Sequence, residues 1–137
     1  MNIHSSEYKQ KFTTPQTAVE HIKNGDTIVH GMSMAEPPAL LAAIADRARA
    51  GDLKDIKIFC LSPSRYAAKT VLAPDLSDCI QAYSWFVTSS DRALVKVGLN
   101  YFVPNYFHQI PRICRDFMQI DVTITTVSPM DKAGYLS

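Results

Sequence analysis

The sequence lacks the run of about 18 apolar residues that a membrane-crossing helix needs. It also lacks an excess of either charge. Fourteen Lys and Arg stand against thirteen Asp and Glu, a formal net charge of +1, with no run of like sign. That balance argues against electrostatic binding to nucleic acid or to a membrane surface. Cysteine is scarce: Cys60, Cys79 and Cys114 are far apart and form no CxxC pair. Neither a zinc knuckle nor a dithiol redox motif is therefore expected, and the odd number argues against a disulfide framework. Cys60 and Cys114 lie in apolar surroundings and are expected to be buried. The phosphate-binding fingerprints GxGxxG and the Walker lysine are missing. His4, His21, His30 and His108 have no metal-ligand spacing, so no metal is expected. The polar stretch from Met1 to Lys11 holds no apolar signal core, which predicts a cytoplasmic protein.

What is present fits a single α/β domain. The 137 residues suit one core, and 47% hydrophobic with 20% charged residues is ordinary for a globular chain. Thr14, Pro15 and Gly25 punctuate a predicted helix over Pro15 to Asn24, with Ala18, Val19 and Ile22 on one face. A short strand, Ile28 to His30, follows. Pro38 and Gly51 bracket a second helix, Pro38 to Ala50. Ile56 to Leu61 reads as a strand and Ala67 to Leu72 as a short helix. Ile80 to Val87 reads as strand-like. Ser89 or Ser90 can cap a helix ending near Val97, and Tyr101 to Val103 is a short strand. Asn105 can cap a helix from Tyr106 to Asp116 that Pro111 should kink or divide. Asp121 to Val127, rich in β-branched residues, reads as the last full strand. Another strand is expected to begin at Tyr135-Leu136-Ser137, which leaves either an unpaired edge or a missing partner.

Alternating strands and helices predict a mainly parallel sheet with flanking helices. Such sheets bind ligands at the carboxyl ends of their strands. Two loops leave strands there, and they are the predicted site. From the first we take Gly31, Met32, Ser33, Met34 and Glu36 as substrate-binding residues. From the second we take Ser128, Pro129, Met130 and Asp131. The first loop precedes a helix, whose N-terminal N–H groups favour an anion. Glu36 has the chemistry of a general base or nucleophile, although a lone carboxylate beside a helix start more often serves the helix dipole. His30, at a strand end, is read as a partly buried, hydrogen-bonded histidine. Arg65, after Ser62-Pro63-Ser64, has the chemistry to meet a carboxylate or phosphate, with a solvated arginine the commoner role. Ser128 and Asp131 with Gly134 are turn chemistry, and no histidine is placed for a Ser-His-Asp triad. Composition and spacing stop at an α/β domain with a site at strand ends; they name no reaction.

Several segments carry a resemblance. Gly25 to Gly31 with Glu36-Pro37-Pro38, then Val103-Pro104-Asn105-Tyr106-Phe107, Ile110-Pro111-Arg112, Asp121-Val122 and Val127-Ser128-Pro129-Met130-Asp131 to Gly134-Tyr135-Leu136-Ser137 resemble the acetyl-CoA hydrolase/CoA-transferase family. The resemblance runs from about Tyr8 to Ser137 and is closest to the 4-hydroxybutyrate/itaconate type. It implies a NagB/RpiA-like α/β fold in two related domains. It also implies ping-pong transfer of coenzyme A between an acyl-CoA and a small carboxylic acid, through a glutamyl-CoA thioester. Coenzyme A is then a substrate, with no permanently bound cofactor. The family's catalytic glutamate and CoA-binding loops lie beyond Ser137. Glu7, Glu20 and Glu36 are the glutamates here and none matches that position, so no catalytic residue is predicted. The expectation is an N-terminal CoA-transferase domain over residues 1–137, truncated and inactive alone. Its expected partners are acyl-CoA and carboxylate substrates, the missing C-terminal domain or fragment, and a second copy in a homodimer. An acyl-CoA hydrolase of the same family and a non-catalytic binding or assembly module stay open.

Overall fold

Caps and glycines divide the chain into short elements. The computed structural model describes residues 3–137, with side chains from residue 6 onward. Helix α1 spans Ile3–Lys11 and α2 spans Pro15–Val19. Strand β1 (Thr27–His30) leads through a 3-10 turn at Ser33–Ala35 into α3 (Pro38–Arg49). Then come β2 (Ile56–Leu61), α4 (Arg65–Lys69), β3 (Ile80–Phe86), α5 (Arg92–Lys96) and β4 (Asn100–Phe102). Further 3-10 turns lie at Pro74–Leu76 and at Phe107–Gln109, the latter running into α6 (Ile110–Asp116), and β5 is Val122–Ile124.

All five strands are parallel, in the order β4-β3-β2-β1-β5. The chain steps one way from β1 to β4, then returns to lay β5 on the far side of β1. Side chains alternate between the two faces. Val122, Ile28, Ile58, Ala82 and Asn100 stand in one register row across the sheet. All are buried except the half-buried Val122. Leu41, Ile44, Ala45 and Ala48 on one stripe of α3 pack against this face, with Val19 of α2 and Ala67 of α4. Each fully buried Leu or Ile contributes about 1.5–3 kcal/mol. The next row is Thr123, Val29, Phe59, Tyr83 and Tyr101. It points to the opposite face, and none of its members is buried.

The α/β parallel architecture agrees with the expectation, and β2 has the bounds read from the sequence. Other elements differ for local reasons. Helix α2 stops at Val19 instead of Asn24 because Arg47 Nη1 donates to the carbonyls of Val19 and Ile22, at 2.5 and 3.1 Å. Helix α4 starts at Arg65, not Ala67, because Ser64 Oγ accepts the Tyr66 N–H at 3.1 Å. Asp91, not Ser89 or Ser90, precedes α5. Asn105 does not cap the next helix. Its side chain donates to the Trp85 and Val103 carbonyls, while Gln109 Oε1 accepts the Tyr106 N–H at 3.0 Å. The expected strand over Asp121 to Val127 shortens to three residues, since Thr125 and Thr126 turn away to bond the loop after β1. Residues 135–137 are not a strand; they fold back so that Ser128 N donates to Ser137 O at 2.5 Å. Cys60 is buried as expected, but Cys114 is only half-buried, on a helix that buries no residue.

Candidate functional site

The loops that leave β1, β2, β3 and β5 meet above the carboxyl edge of the sheet. They enclose a cleft of about 500 Å³. Its walls are Ser33, Met34, Glu36 and Pro38 from the first loop, Ser62, Pro63, Ser64 and Tyr66 from the second, Thr88, Ser89 and Ser90 from the third, and Thr126. The cleft lies beside the switch point between β1 and β5, where an open parallel sheet leaves room for a ligand.

Glu36 organises the cleft floor. It is 3% exposed, yet its carboxylate has two partners: Oε2 accepts the Ser64 N–H at 2.8 Å and Oε1 accepts the Ala67 N–H at 2.6 Å. These are N–H groups at the start of α4, which have no partner inside the helix. Glu36 thereby serves the helix start, but that of α4 and not of the helix that follows it in sequence. Its backbone carbonyl accepts Thr126 Oγ1 at 2.9 Å, tying the first loop to the chain after β5.

Two serines in the left-handed region face each other across the cleft. Ser33 has φ of 48° and Ser62 has φ of 56°. Such residues are disfavoured without glycine and gather at functional sites. Ser33 donates to Ser62 through its N–H (3.4 Å) and through Oγ to Oγ (3.3 Å).

A buried polar network holds the third loop. Asp91 is fully buried; Oδ2 accepts Ser84 Oγ at 2.6 Å and Asn100 Nδ2 at 3.1 Å. Oδ1 accepts the Thr88 N–H at 2.7 Å. Thr88 Oγ1 lies 3.1 Å from both Asp91 Oδ1 and the Pro63 carbonyl, so it joins the second and third loops. A carboxylate taken from water is tolerated only with such partners.

His30, at the end of β1, is 3% exposed. Nδ1 lies 2.9 Å from the Gly31 carbonyl. A carbonyl only accepts, so Nδ1 carries the proton and Nε2 is left as a buried acceptor without a partner. Burial pushes the imidazole below its ordinary value, against opposing effects of the Gly31 bond and the nearby Glu36.

The predicted residues divide. Ser33, Met34 and Glu36 line the cleft. Gly31 is outside the lining, its N–H bonded to the Ile124 carbonyl at 2.9 Å, and Met32 is half-exposed and also outside it. Ser128, Pro129, Met130 and Asp131 build their own turn. Asp131 Oδ1 accepts the N–H groups of Ala133 and Tyr135, at 2.8 and 2.9 Å. Met130 lines a separate hollow with Tyr8, Gly134 and Leu136. The reading of the sequence did not take Pro38, Ser62, Pro63, Ser64, Tyr66, Thr88, Ser89, Ser90 or Thr126 as site residues. The strand-end rule, applied to β2 and β3, would have found the loops that carry Ser62 to Ser64 and Thr88 to Ser90.

The fold has counterparts in known proteins. A family model described as the acetyl-CoA hydrolase/transferase N-terminal domain matches residues 1–137. Succinyl-CoA:cyclohexane-1-carboxylate CoA transferase of Geobacter metallireducens is 34% identical over 134 residues, 98% of this chain and 30% of that protein. Butyryl-CoA:acetate CoA-transferase of Anaerostipes caccae is 27% identical over 132 residues, 96% of this chain and 29% of that protein. Among solved structures, RipA from Yersinia pestis superposes with a TM-score of 0.93 at 41% identity, covering 98% of this chain and 33% of its own. The 4-hydroxybutyrate CoA-transferase of Porphyromonas gingivalis shares the fold, with a TM-score of 0.73 at 22% identity over 97% of this chain and 29% of its own. This chain spans about 30% of the length of the curated relatives it matches. With a matching domain along its whole length and the same parallel sheet, the chain belongs to the acetyl-CoA hydrolase/transferase family and carries its N-terminal domain.

Proposed function

We propose that this chain is the first part of a CoA-transferase. The enzyme moves coenzyme A between an acyl-CoA and a small carboxylic acid of the 4-hydroxybutyrate, itaconate, succinate or acetate type. One observation carries the reading: a family domain matched over residues 1–137 coincides with 34% identity to a CoA transferase along 98% of the chain. In the proposed chemistry a glutamate attacks the thioester carbonyl and expels CoA thiolate. The thiolate then attacks the acyl-glutamyl anhydride, giving glutamyl-CoA and the free acid. The acceptor carboxylate runs the steps in reverse. Glu36 is a poor nucleophile for this, since both its oxygens are held by backbone N–H groups. The reading therefore assigns the glutamate to the C-terminal part of the protein, and no catalytic residue to this chain.

The contribution of this chain is a wall for the acid. Hydroxyls both donate and accept, which suits a carboxylate or a hydroxy acid, and the cleft is lined by Ser33, Ser62, Ser64, Thr88, Ser89 and Ser90. Met34 and Glu36 belong to the same wall, and Gly31 and Met32 are proposed to support the loop that carries them. The turn holding Ser128, Pro129, Met130 and Asp131 is proposed as an outer lip beyond Thr126. The complete enzyme is read as a cytoplasmic homodimer. A second reading, acyl-CoA hydrolysis, is favoured by the family description, which covers hydrolases as well as transferases.

The test compares the purified chain with a fusion to the C-terminal part of the Geobacter metallireducens relative. Succinyl-CoA is offered with acetate, 4-hydroxybutyrate or cyclohexane-1-carboxylate, and new acyl-CoA is read by mass spectrometry. Transfer by the fusion and none by the chain alone is the expected result. Transfer by the chain alone contradicts the assignment of the glutamate. CoA release at one rate with or without an acceptor selects hydrolysis.

A further inference from the structure

Parallel sheets are covered on both faces, because the crossovers that join their strands place helices there. Here the two faces are unequal. The row through Ile28, Ile58 and Ala82 is buried under α2, α3 and α4. The opposite row, through Val29, Phe59, Tyr83 and Tyr101, has no buried member. Its exposure is not that of a polar surface. The Phe59 and Tyr83 rings stack at 4.5 Å with planes 8° apart, and Tyr101 sits 5.4 Å from Tyr83. Tyr101 is 52% exposed. Two residues toward the amino ends, on the same face, Thr27, Lys57 and Gln81 form a polar border. An apolar aromatic centre with a polar rim is the anatomy of a protein interface. Phe117 and Met118, just after α6, share a hollow with Lys57 and Phe59, and α6 itself buries no residue.

We infer that this aromatic face, along Phe59, Tyr83 and Tyr101, is the docking surface for the C-terminal part of the same enzyme. The inference rests on the reading above that the chain is the first part of a longer protein. The occupant is argued from size and continuity. RipA reproduces this sheet with a TM-score of 0.93, yet this chain covers only 33% of it. Polypeptide sufficient to cover a second face thus accompanies the same fold in one molecule.

The experiment is oxidative footprinting of the native tyrosines, read peptide by peptide, in the 137-residue chain and in the fusion described above. Tyr83 and Tyr101 should oxidise about fivefold more slowly in the fusion, as expected when half-exposed rings enter an interface core. Equal rates in a fusion that melts cooperatively would overturn the inference. So would protection that grows with the concentration of the chain alone, which would assign the face to a second copy. If the fusion does not fold, Tyr101→Lys in the chain alone decides. An unchanged melting temperature marks an external face. A drop as large as that of Ile58→Ala would mean that the chain itself closes the face, and the inference fails. Transfer activity is scored separately. An inactive fusion with protected tyrosines keeps the surface and loses the transferase reading, and an active fusion with unprotected tyrosines does the reverse.

Discussion

The Glu36 carboxylate accepts the backbone N–H of Ala67 at 2.6 Å across 31 positions of sequence. It also accepts the N–H of Ser64, so one side chain fixes the start of α4 and the second wall of the cleft. Glu36→Gln replaces one acceptor by a donor that faces an N–H. The expected loss is about 1–3 kcal/mol, the range for a buried group left without its partner, measured by urea denaturation. Amide exchange should accelerate at Ser64 and Ala67 before it does in β2. Wild-type protection at those two amides in the variant would refute the role.

Gly31 is required by space. A Cβ there would overlap the Ala35 carbonyl oxygen and come within 2.5 Å of Thr125 Oγ1. Gly31→Ala should destabilise by about 1–3 kcal/mol through overpacking. Removing the hydroxyl as well, in Gly31→Ala with Thr125→Ala, should not restore stability, because the backbone oxygen remains. Full recovery in the double variant would place the clash elsewhere.

His30 sets a pH dependence. Its folded value is depressed by burial below the ordinary 6.5. Protonation adds a second N–H at Nε2, where no acceptor waits. The unfolded chain therefore binds this proton more readily, and stability rises with pH in that window. The contribution is complete above about pH 6.5. It is lost progressively as the pH falls from there through the folded value. Unfolding free energy measured from pH 8 to pH 5 should fall less steeply in His30→Gln than in the wild type. Identical slopes would contradict the assignment.

Cys60 should be inert. Burial pushes its thiol up to about 12, with partial relief from the bond to Ser84. At pH 8 roughly one molecule in 10⁴ carries the reactive thiolate. Cys79 and Cys114 are half-buried. Iodoacetamide on the native protein should modify Cys79 and Cys114 first, and Cys60 only after denaturation. Modification of all three at similar rates would show that the β2–β3 region opens readily.

Much of the fold is legible because local chemistry agrees with it. Ile56 to Leu61 is β-rich and ends at Ser62-Pro63, and Pro38 opens α3 while Gly51 follows its C-cap Ala50. The misplaced boundaries are those set by distant partners. No local pattern announces that Arg47 will take the carbonyls that end α2, or that Thr125 and Thr126 will leave β5 to bond Ala35 and Glu36. The site is legible by half for the same reason. The first loop follows from the strand-end rule alone. The inward turn of Asp91, which sets Thr88, Ser89 and Ser90 in place, depends on Ser84 and Asn100 from two other strands.

The strand order has a consequence in time. Strands β1 to β4 pair in the order in which they are made, each closing a modest loop. Strand β5 must return to β1, and the Thr27 N–H bonds Asp121 Oδ2 across 94 positions. Contacts of long sequence separation are entropically slow to close. We therefore predict, as a hypothesis, that the cleft is assembled last. In pulsed hydrogen exchange during refolding, the amides of β2 and β3 should gain protection before the Thr126 N–H that bonds Ala35. Simultaneous protection would refute the sequence of events. On a ribosome the same order means that a nascent chain can hold four strands of its sheet while its cleft is still open on one side, waiting for the last strand to emerge.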